Sequence, residues 1–380
     1  MSMLTRRAVV LAKAEGTYGT DPVPTTADGI LASVPEISFD WDKIQRDYVR
    51  DSLSPLGHAI GVKRQQITFS TELKGANDSA NPDAATHFDC LLQACALVPV
   101  SVLRLPVGSV SGSFSVGETV TGGTSGATGV VAHIQAAVLH LKSVSGTFSA
   151  SETVSGGTSG ATAVVGSNPM DNTTYEYAPV SDPAQMKSAT LYYYADSILH
   201  KLTGCRGNVS MEMPVDGYPT LKFALTGFWA DPADDNFPSG VTFEQHLPPR
   251  CLAAGLAIGS YNPVGVNTIS LDLGNQVQVS KDINDAQGIT DIYIAGRTPS
   301  GAIDPEVDTL SSYNPFADGI AGTTRELSWA FGDTAGNRIG LFVPAAQLDQ
   351  PGYQDRNGKR VYTLPFIPTG DDNEIALQVG

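Results

Sequence analysis

The residues of this chain best suited to metal or acid–base chemistry are six histidines: His58, His87, His133, His140, His200 and His246. None falls in an HExxH helix or in the closely spaced set that zinc ligation needs. His133 and His140 stand seven apart; a helix would bring them to one face, but we read the segment as a solvated linker. Gly123-Thr124-Ser125-Gly126-Ala127 places its second glycine one position too early for a nucleophile elbow, and its copy at 157–161 fails in the same way. Gly352 to Lys359 has one residue too many between its glycines for a P-loop, and Arg360 follows where Ser or Thr is required, so it reads as a hairpin turn. Asp231, Asp234 and Asp235, like Asp371, Asp372 and Glu374, lack the EF-hand spacing and read as solvated loop carboxylates. Cys90, Cys95, Cys205 and Cys251 are too few and scattered for a disulfide framework or a metal knuckle, and read as small buried apolar residues. No catalytic, cofactor or metal site is therefore expected, and the chain is read as a non-enzyme that acts by making surfaces.

Composition narrows those surfaces. Against 39 acidic residues stand 23 Lys and Arg, a formal charge of −16, which argues against a protein that tracks nucleic-acid phosphates. With 41% hydrophobic and 16% charged residues, the 380-residue chain can bury a core. No apolar run approaches a membrane span, and Met1 to Lys13 holds too short an apolar stretch for a secretory signal, so a cytoplasmic place of synthesis is expected. The acidity is uneven: residues 169–380 hold 25 acids and 12 bases.

The elements that must position any surface are mostly strands. Ile37 to Trp41 and Gln66 to Leu73 alternate in polarity around a long polar loop at 44–62. One helix is expected at about 84–97, entered through Asn81-Pro82-Asp83 and closed before Pro99. Segment 102–168 is an internal repeat: Ser109 to Val131 returns as Ser143 to Val165 with 18 of 23 positions identical, which predicts a compact β insertion. A meander follows over 189–229, with turns at Asp196-Ser197 and Asp216-Gly217. Further strands are expected from Thr268 to Val379, including a type I′ turn at Arg356-Asn357-Gly358-Lys359. Two β-rich parts echo each other. Ile37 to Leu73 has a shorter counterpart in Ile269 to Ala295, and 218–235 has a shadow in 360–379. The fold class is mainly β with one or two short helices. Its expected parts are residues 1–101 with 169–245, the insertion 102–168, and residues 246–380. Many strands mean exposed edges, and pairing each edge with the next subunit is one way to manage them.

The opening, Leu4-Thr5-Arg6-Arg7 through Leu11-Ala12-Lys13-Ala14-Glu15-Gly16-Thr17-Tyr18-Gly19-Thr20-Asp21-Pro22-Val23-Pro24-Thr25, resembles that of the tail tube (major tail) proteins of long-tailed bacteriophages. The likeness continues through the strand, Arg-containing loop and strand of Glu36 to Gly75, the following helix, the meander at 189–230 and the ending with Val361-Tyr362 and Gly370-Asp371-Asp372. It leaves out 102–168. This resemblance implies β-sandwich-like units whose hairpins join neighbours into a closed barrel ring, with rings stacked into a tube through which DNA passes unbound. It implies that the loop at 44–62, with Arg46, Tyr48, Arg50 and Asp51, stacks ring on ring. Three copies with two tube-like units each are favoured over six copies. Tape measure and tail terminator proteins would be partners, and the chain would reside in the virion tail after assembly in the host cytoplasm. The insertion would decorate the exterior. The rival reading is a virion-surface adhesin that grips host glycans through the repeat.

Overall fold

Alternating apolar and polar residues put most of this chain into antiparallel strands. The computed structural model describes residues 4–75, 86–135, 138–166, 173–332, 334 and 336–380. In chain order the first elements are β1 (Ala8–Ala14), β2 (Gly29–Ile30), β3 (Glu36–Ile44), β4 (Ala59–Glu72) and helix α1 (Asp89–Ala94). Then come β5 (Leu97–Ser111), β6 (Thr119–Gly122), β7 (Thr128–Gln135), β8 (Val138–Ser145), β9 (Thr153–Gly156), β10 (Thr162–Val165) and β11 (Thr173–Pro179). After them run β12 (Ala189–Ala195), β13 (Ile198–Pro214), β14 (Thr220–Phe228) and β15 (Ala233–Asp234). Next are β16 (Ala257–Ile258), β17 (Thr268–Asp272), β18 (Asn275–Lys281), β19 (Ile289–Arg297), β20 (Ser300–Ile303) and helix α2 (Pro315–Ala321). The chain ends with β21 (Thr324–Phe331), β22 (Ile339–Leu348), β23 (Gly352–Arg356), β24 (Lys359–Pro368) and β25 (Ala376–Val379).

The mainly β class stands, and several local expectations need correction. α1 covers only Asp89–Ala94 of the helix expected at 84–97, because Ala96 turns into the left-handed region (φ 59°) and Leu97 already opens β5. The expected entry at Asn81-Pro82-Asp83 lies outside the described residues. Pro99 does not end the element, since this part of β5 pairs along one side only, with β11. Both His133 and His140 are buried, on β7 and β8, and stand directly opposite each other; the solvated linker is overturned because strand pairing turns both rings inward. β13 runs unbroken for 17 residues between the two turns of the meander. At Gly204 (φ 61°) it bulges and passes from β12 to β14. The second short helix, α2, whose place the sequence reading did not name, has ordinary signals: Asn314 accepts from the Ala317 N–H at 3.0 Å, Pro315 opens the first turn, and Gly322 ends it at φ 64°.

One apolar cluster runs from Val10, Ile67 and Phe223 through Trp329, Leu341, Tyr362 and Leu377, so residues 8–75, 189–228 and 257–379 share a core. Trp329 is fully buried, and its indole N–H reaches the Met213 sulfur at 3.2 Å, tying β21 to β13. The order of pairings recurs along the chain. β1–β12, β12–β13, β13–β14 and β13–β15 are matched by β16–β21, β21–β22, β22–β24 and β22–β25. Likewise β3–β4 and β4–β14 are matched by β17–β20 and β20–β24. The weak echo between 218–235 and 360–379 falls on β14 and β24, strands in matched positions.

The repeated segment closes on itself. β5 pairs with β8, β8 with β7, β7 with β6, β6 with β9, β9 with β10 and β10 with β5, a ring of six strands without a free edge. Its core draws matched residues from each copy, 34 positions apart: Leu105 with Leu139, Phe114 with Phe148, Val120 with Val154 and Val131 with Val165. β6 meets β9 at Thr121↔Ser155, the residues that correspond in the two copies, so the copies face each other about a local two-fold.

Candidate functional site

The barrel holds its copies together by exchanging carboxylates. Glu152 accepts the backbone N–H of Thr124 at 3.0 Å and of Ser125 at 2.9 Å, the Ser125 hydroxyl at 2.8 Å and the Ser149 N–H at 2.6 Å. Glu118 does the same for the other copy, with Thr158 N–H at 3.1 Å, Ser159 N–H at 2.9 Å, Ser159 hydroxyl at 2.8 Å and Ser115 N–H at 2.6 Å. Each Gly-Thr-Ser-Gly turn is thus an anion nest filled by the other copy's glutamate, and it has no room for a substrate. Burial alone would raise these carboxyls, but the converging donors outweigh it and bring both to about 2. A lowered folded-state value means the stabilisation is complete above the unfolded carboxyl range and is lost as pH falls toward 2. Amide exchange in β6 and β9 is accordingly expected to be slow at pH 5 and to accelerate, beyond the intrinsic change, between pH 4 and 2.

A second buried cluster fixes how the barrel meets the rest of the chain. Glu176 on β11 lies 3.0 Å from His133 Nε2 and 2.6 Å from Lys142 Nζ, and accepts the Gln378 amide at 3.0 Å. Phe342 stacks on His133 with ring centres 4.5 Å apart and meets His140 edge-on. Burial opposes the charge on Glu176, yet His133 and Lys142 hold it well below the usual carboxylate range. Burial, then Arg104 and His133, keep His140 neutral by lowering it to about 3. A cleft beside it, lined by Arg104, His140, Arg250, Asn337 and Arg338 among others, has no carboxylate side chain and no thiol among its described lining. The charged side chains of its described lining are the cations Arg104, Arg250 and Arg338.

The surfaces that remain are edges and a loop. β3 pairs only with β4, and β23 only with β24, so each has one edge without a strand partner among the described residues. Residues 45–58 join β3 to β4 without further strand and are exposed or nearly so, including Arg46, Tyr48, Arg50 and Asp51. Arg50 donates to the Ser54 carbonyl at 2.5 Å, which folds the loop back on itself, whereas Tyr48, Val49 and Leu53 point outward. These four residues share the loop but are not gathered into a pocket. The expected loop at 44–62 is shorter at both ends because β3 and β4 zip together as far as Ile44↔Ala59.

Within the chain, one such edge is already covered. The end of β13, Ser210 to Pro214, takes β14 on one side and β17 on the other. Beyond it the β18–β19 hairpin lies against Tyr18 and Arg206. Tyr18 hydroxyl donates to the Ile292 carbonyl at 3.3 Å and accepts the Ile292 N–H at 2.7 Å, while Arg206 reaches the same carbonyl at 2.8 Å and Asp291 at 3.1 Å. Sequence reasoning singled out neither Tyr18 nor Arg206 for such a role. The Gly-Thr-Tyr-Gly run was a signal, but only tertiary contact gives the tyrosine its partner.

The open edges of β3 and β23 leave backbone donors and acceptors free to pair with a further strand. The sequence profile of the family described as Phage tail tube protein matches residues 5–368. The chain belongs to that family. Among curated proteins no match is found. The family makes this a structural component of the virion tail that self-assembles into a tube, and the strand-rich fold with open edges is consistent with that role.

Proposed function

We propose that three copies of this chain close one ring of the tail tube, each supplying two tube-like units, residues 1–101 with 169–245 and residues 246–380. The observation that carries this reading is the recurrence of six strand pairings in the same order in both parts. Two like units per chain give three copies the six positions around a lumen that six copies of a single unit would fill. Rings stack through residues 45–58, with Arg46, Tyr48, Arg50 and Asp51 at the contact. The tube delivers the genome into the host, and the excess of 39 acids over 23 bases lets phosphates slide instead of stick. A tape measure protein fills the lumen during assembly in the host cytoplasm, a terminator protein caps the tube, and the tail is long and noncontractile. The inserted barrel sits outside. Its two phenylalanines, Phe114 and Phe148, are in its core, it has no Tyr or Trp, and His133 and His140 are buried, so it offers no exposed ring on which a sugar could stack, which disfavours the adhesin role.

Cryo-electron microscopy of the purified protein tests this. Threefold rings with six lobes around a channel are expected; true sixfold density or particles without a channel would overturn it. Replacing residues 45–58 by Asn-Gly, which suits a hairpin closed at Ile44↔Ala59, is expected to leave folded subunits and single rings but few stacked tubes.

A further inference from the structure

We infer that the ring closes along a seam this chain already contains once: the edge before and at the start of β3 of one copy pairs with β23 of the next, and the outer face of the β3–β4 hairpin docks beside it. This seam presupposes the three-copy ring proposed above. Inside the chain, Ser210↔Asp272 through Pro214↔Thr268 join β13 to β17 in antiparallel register. β23 stands in the position of the β13 end, since it pairs with β24 as β13 pairs with β14. The start of β3 stands in the position of β17, since β3 pairs with β4 as β17 pairs with β20, and the bridge Ala32↔Thr71 carries that pairing back to Ala32.

The registers fix which residues meet. Leu221 of β14 pairs with Thr71, and Leu364 of β24 pairs with Ile303, so Thr71 and Ile303 correspond. Counting back from Glu36, which pairs with Thr68 as Asp272 pairs with Ser300, places Val34–Glu36 where Ser270–Asp272 stands, while the bridge Ala32↔Thr71 puts Ala32 in the place of Ile269, so one residue is extra at Ser33–Val34. Gln350–Gln354 stand where Ser210–Pro214 stand. Ser33 donates to the Ser70 carbonyl at 2.8 Å, and Ser70 stands where Ala302, the partner of Ser270, stands, so the internal pair Glu212↔Ser270 becomes Gly352 opposite the Ser33–Val34 bulge of the neighbour.

The hairpins agree. Val279↔Ile292 in β18–β19 matches Lys43↔Ile60 in β3–β4. Ile292 is 0% exposed against Tyr18 and Arg206, whereas Ile60 is 46% exposed, Ile44 56% and Trp41 39%. The same position is buried in the hairpin that has a unit to rest on and bare in the hairpin that has none. A second copy of this chain is the partner that supplies the missing unit. On its receiving side Gly259-Ser260-Tyr261, after β16, matches Gly16-Thr17-Tyr18, after β1. Because the two faces differ, the contact is head-to-tail and can close a ring.

Val34→Cys combined with Gly352→Cys tests the register, using a short bismaleimide on assembled rings and denaturing electrophoresis. A Cβ at Gly352 meets nothing closer than 4.0 Å, so the change is tolerated. A covalent ladder ending at three chains is expected, with wild type and each single variant staying at one. Ile60→Asp should reduce rings at least tenfold while the monomer keeps its circular dichroism spectrum and melting temperature; Ile60→Val should keep rings. Threefold rings that neither cross-link nor respond to Ile60→Asp would sink the seam and leave the tube standing. A wild-type chain that forms no rings at all would sink the tube reading itself.

Discussion

Replacing Glu118 and Glu152 together by glutamine is expected to lower the melting temperature of the inserted barrel by roughly 15–30 °C while tubes still form. Each carboxylate accepts four hydrogen bonds, three from the opposite copy of the repeat. A glutamine keeps the length but points an NH₂ group at a nest of N–H donors, where it can accept with one end only. Hydrogen bonds to a charged acceptor are worth about 2 kcal/mol net, so the double change costs about 4 kcal/mol or more. For a unit of some 60 residues, each kcal/mol shifts the midpoint by roughly 4–8 °C. Calorimetry of assembled tubes should show the barrel transition moving away from the main one. An unshifted transition would mean that solvent satisfies the turns and that the exchange of glutamates is incidental.

Glu15→Ala is expected to damage the main fold instead, with loss of about 4 kcal/mol and of ring formation. The Glu15 carboxylate is buried and accepts from the Gly19 and Gly204 N–H groups, each at 2.7 Å, and from the Ser188 and Thr190 hydroxyls, each at 2.6 Å. These partners come from the turn after β1, the start of β12 and the bulge of β13, so one carboxylate pins three segments where sheet pairing passes from strand to strand. Alanine leaves buried donors without an acceptor, and each costs roughly 1–3 kcal/mol, with relaxation and water recovering part of the sum. Tyr18, three residues on, would lose the support that aims it at Ile292. Urea unfolding monitored by tryptophan fluorescence, with microscopy of the same material, checks both effects. A variant that melts normally and still forms rings would show that water can replace the carboxylate.

The contrast between these two glutamates shows how legible the chain was. Both stand in motifs visible in the sequence, Glu152 in the repeat and Glu15 in the opening that resembles tail tube proteins. Neither motif says what the carboxylate touches, because three of the four partners of each are tens or hundreds of residues away. The loop at 45–58 could be bracketed because its ends are marked by the loss of alternation, but the hairpin zips further than alternation alone indicates.

By itself the sequence determined what depends on near neighbours. Period-two alternation fixed the β class, the Asn357-Gly358 pair marked a hairpin turn that the structure realises with both φ values positive, and 18 identities in 23 positions fixed the duplication. It also carried the family. Tertiary structure alone decided that the two repeats share a single barrel, that His133 and His140 turn inward, that α1 stops at Ala94, and that two parts with scarcely similar sequences repeat six pairings. Each of those outcomes is a choice of strand partner. Alternation says that a strand has two faces and two edges, but which edge meets which is settled by the burial and hydrogen bonds that the whole chain can satisfy at once.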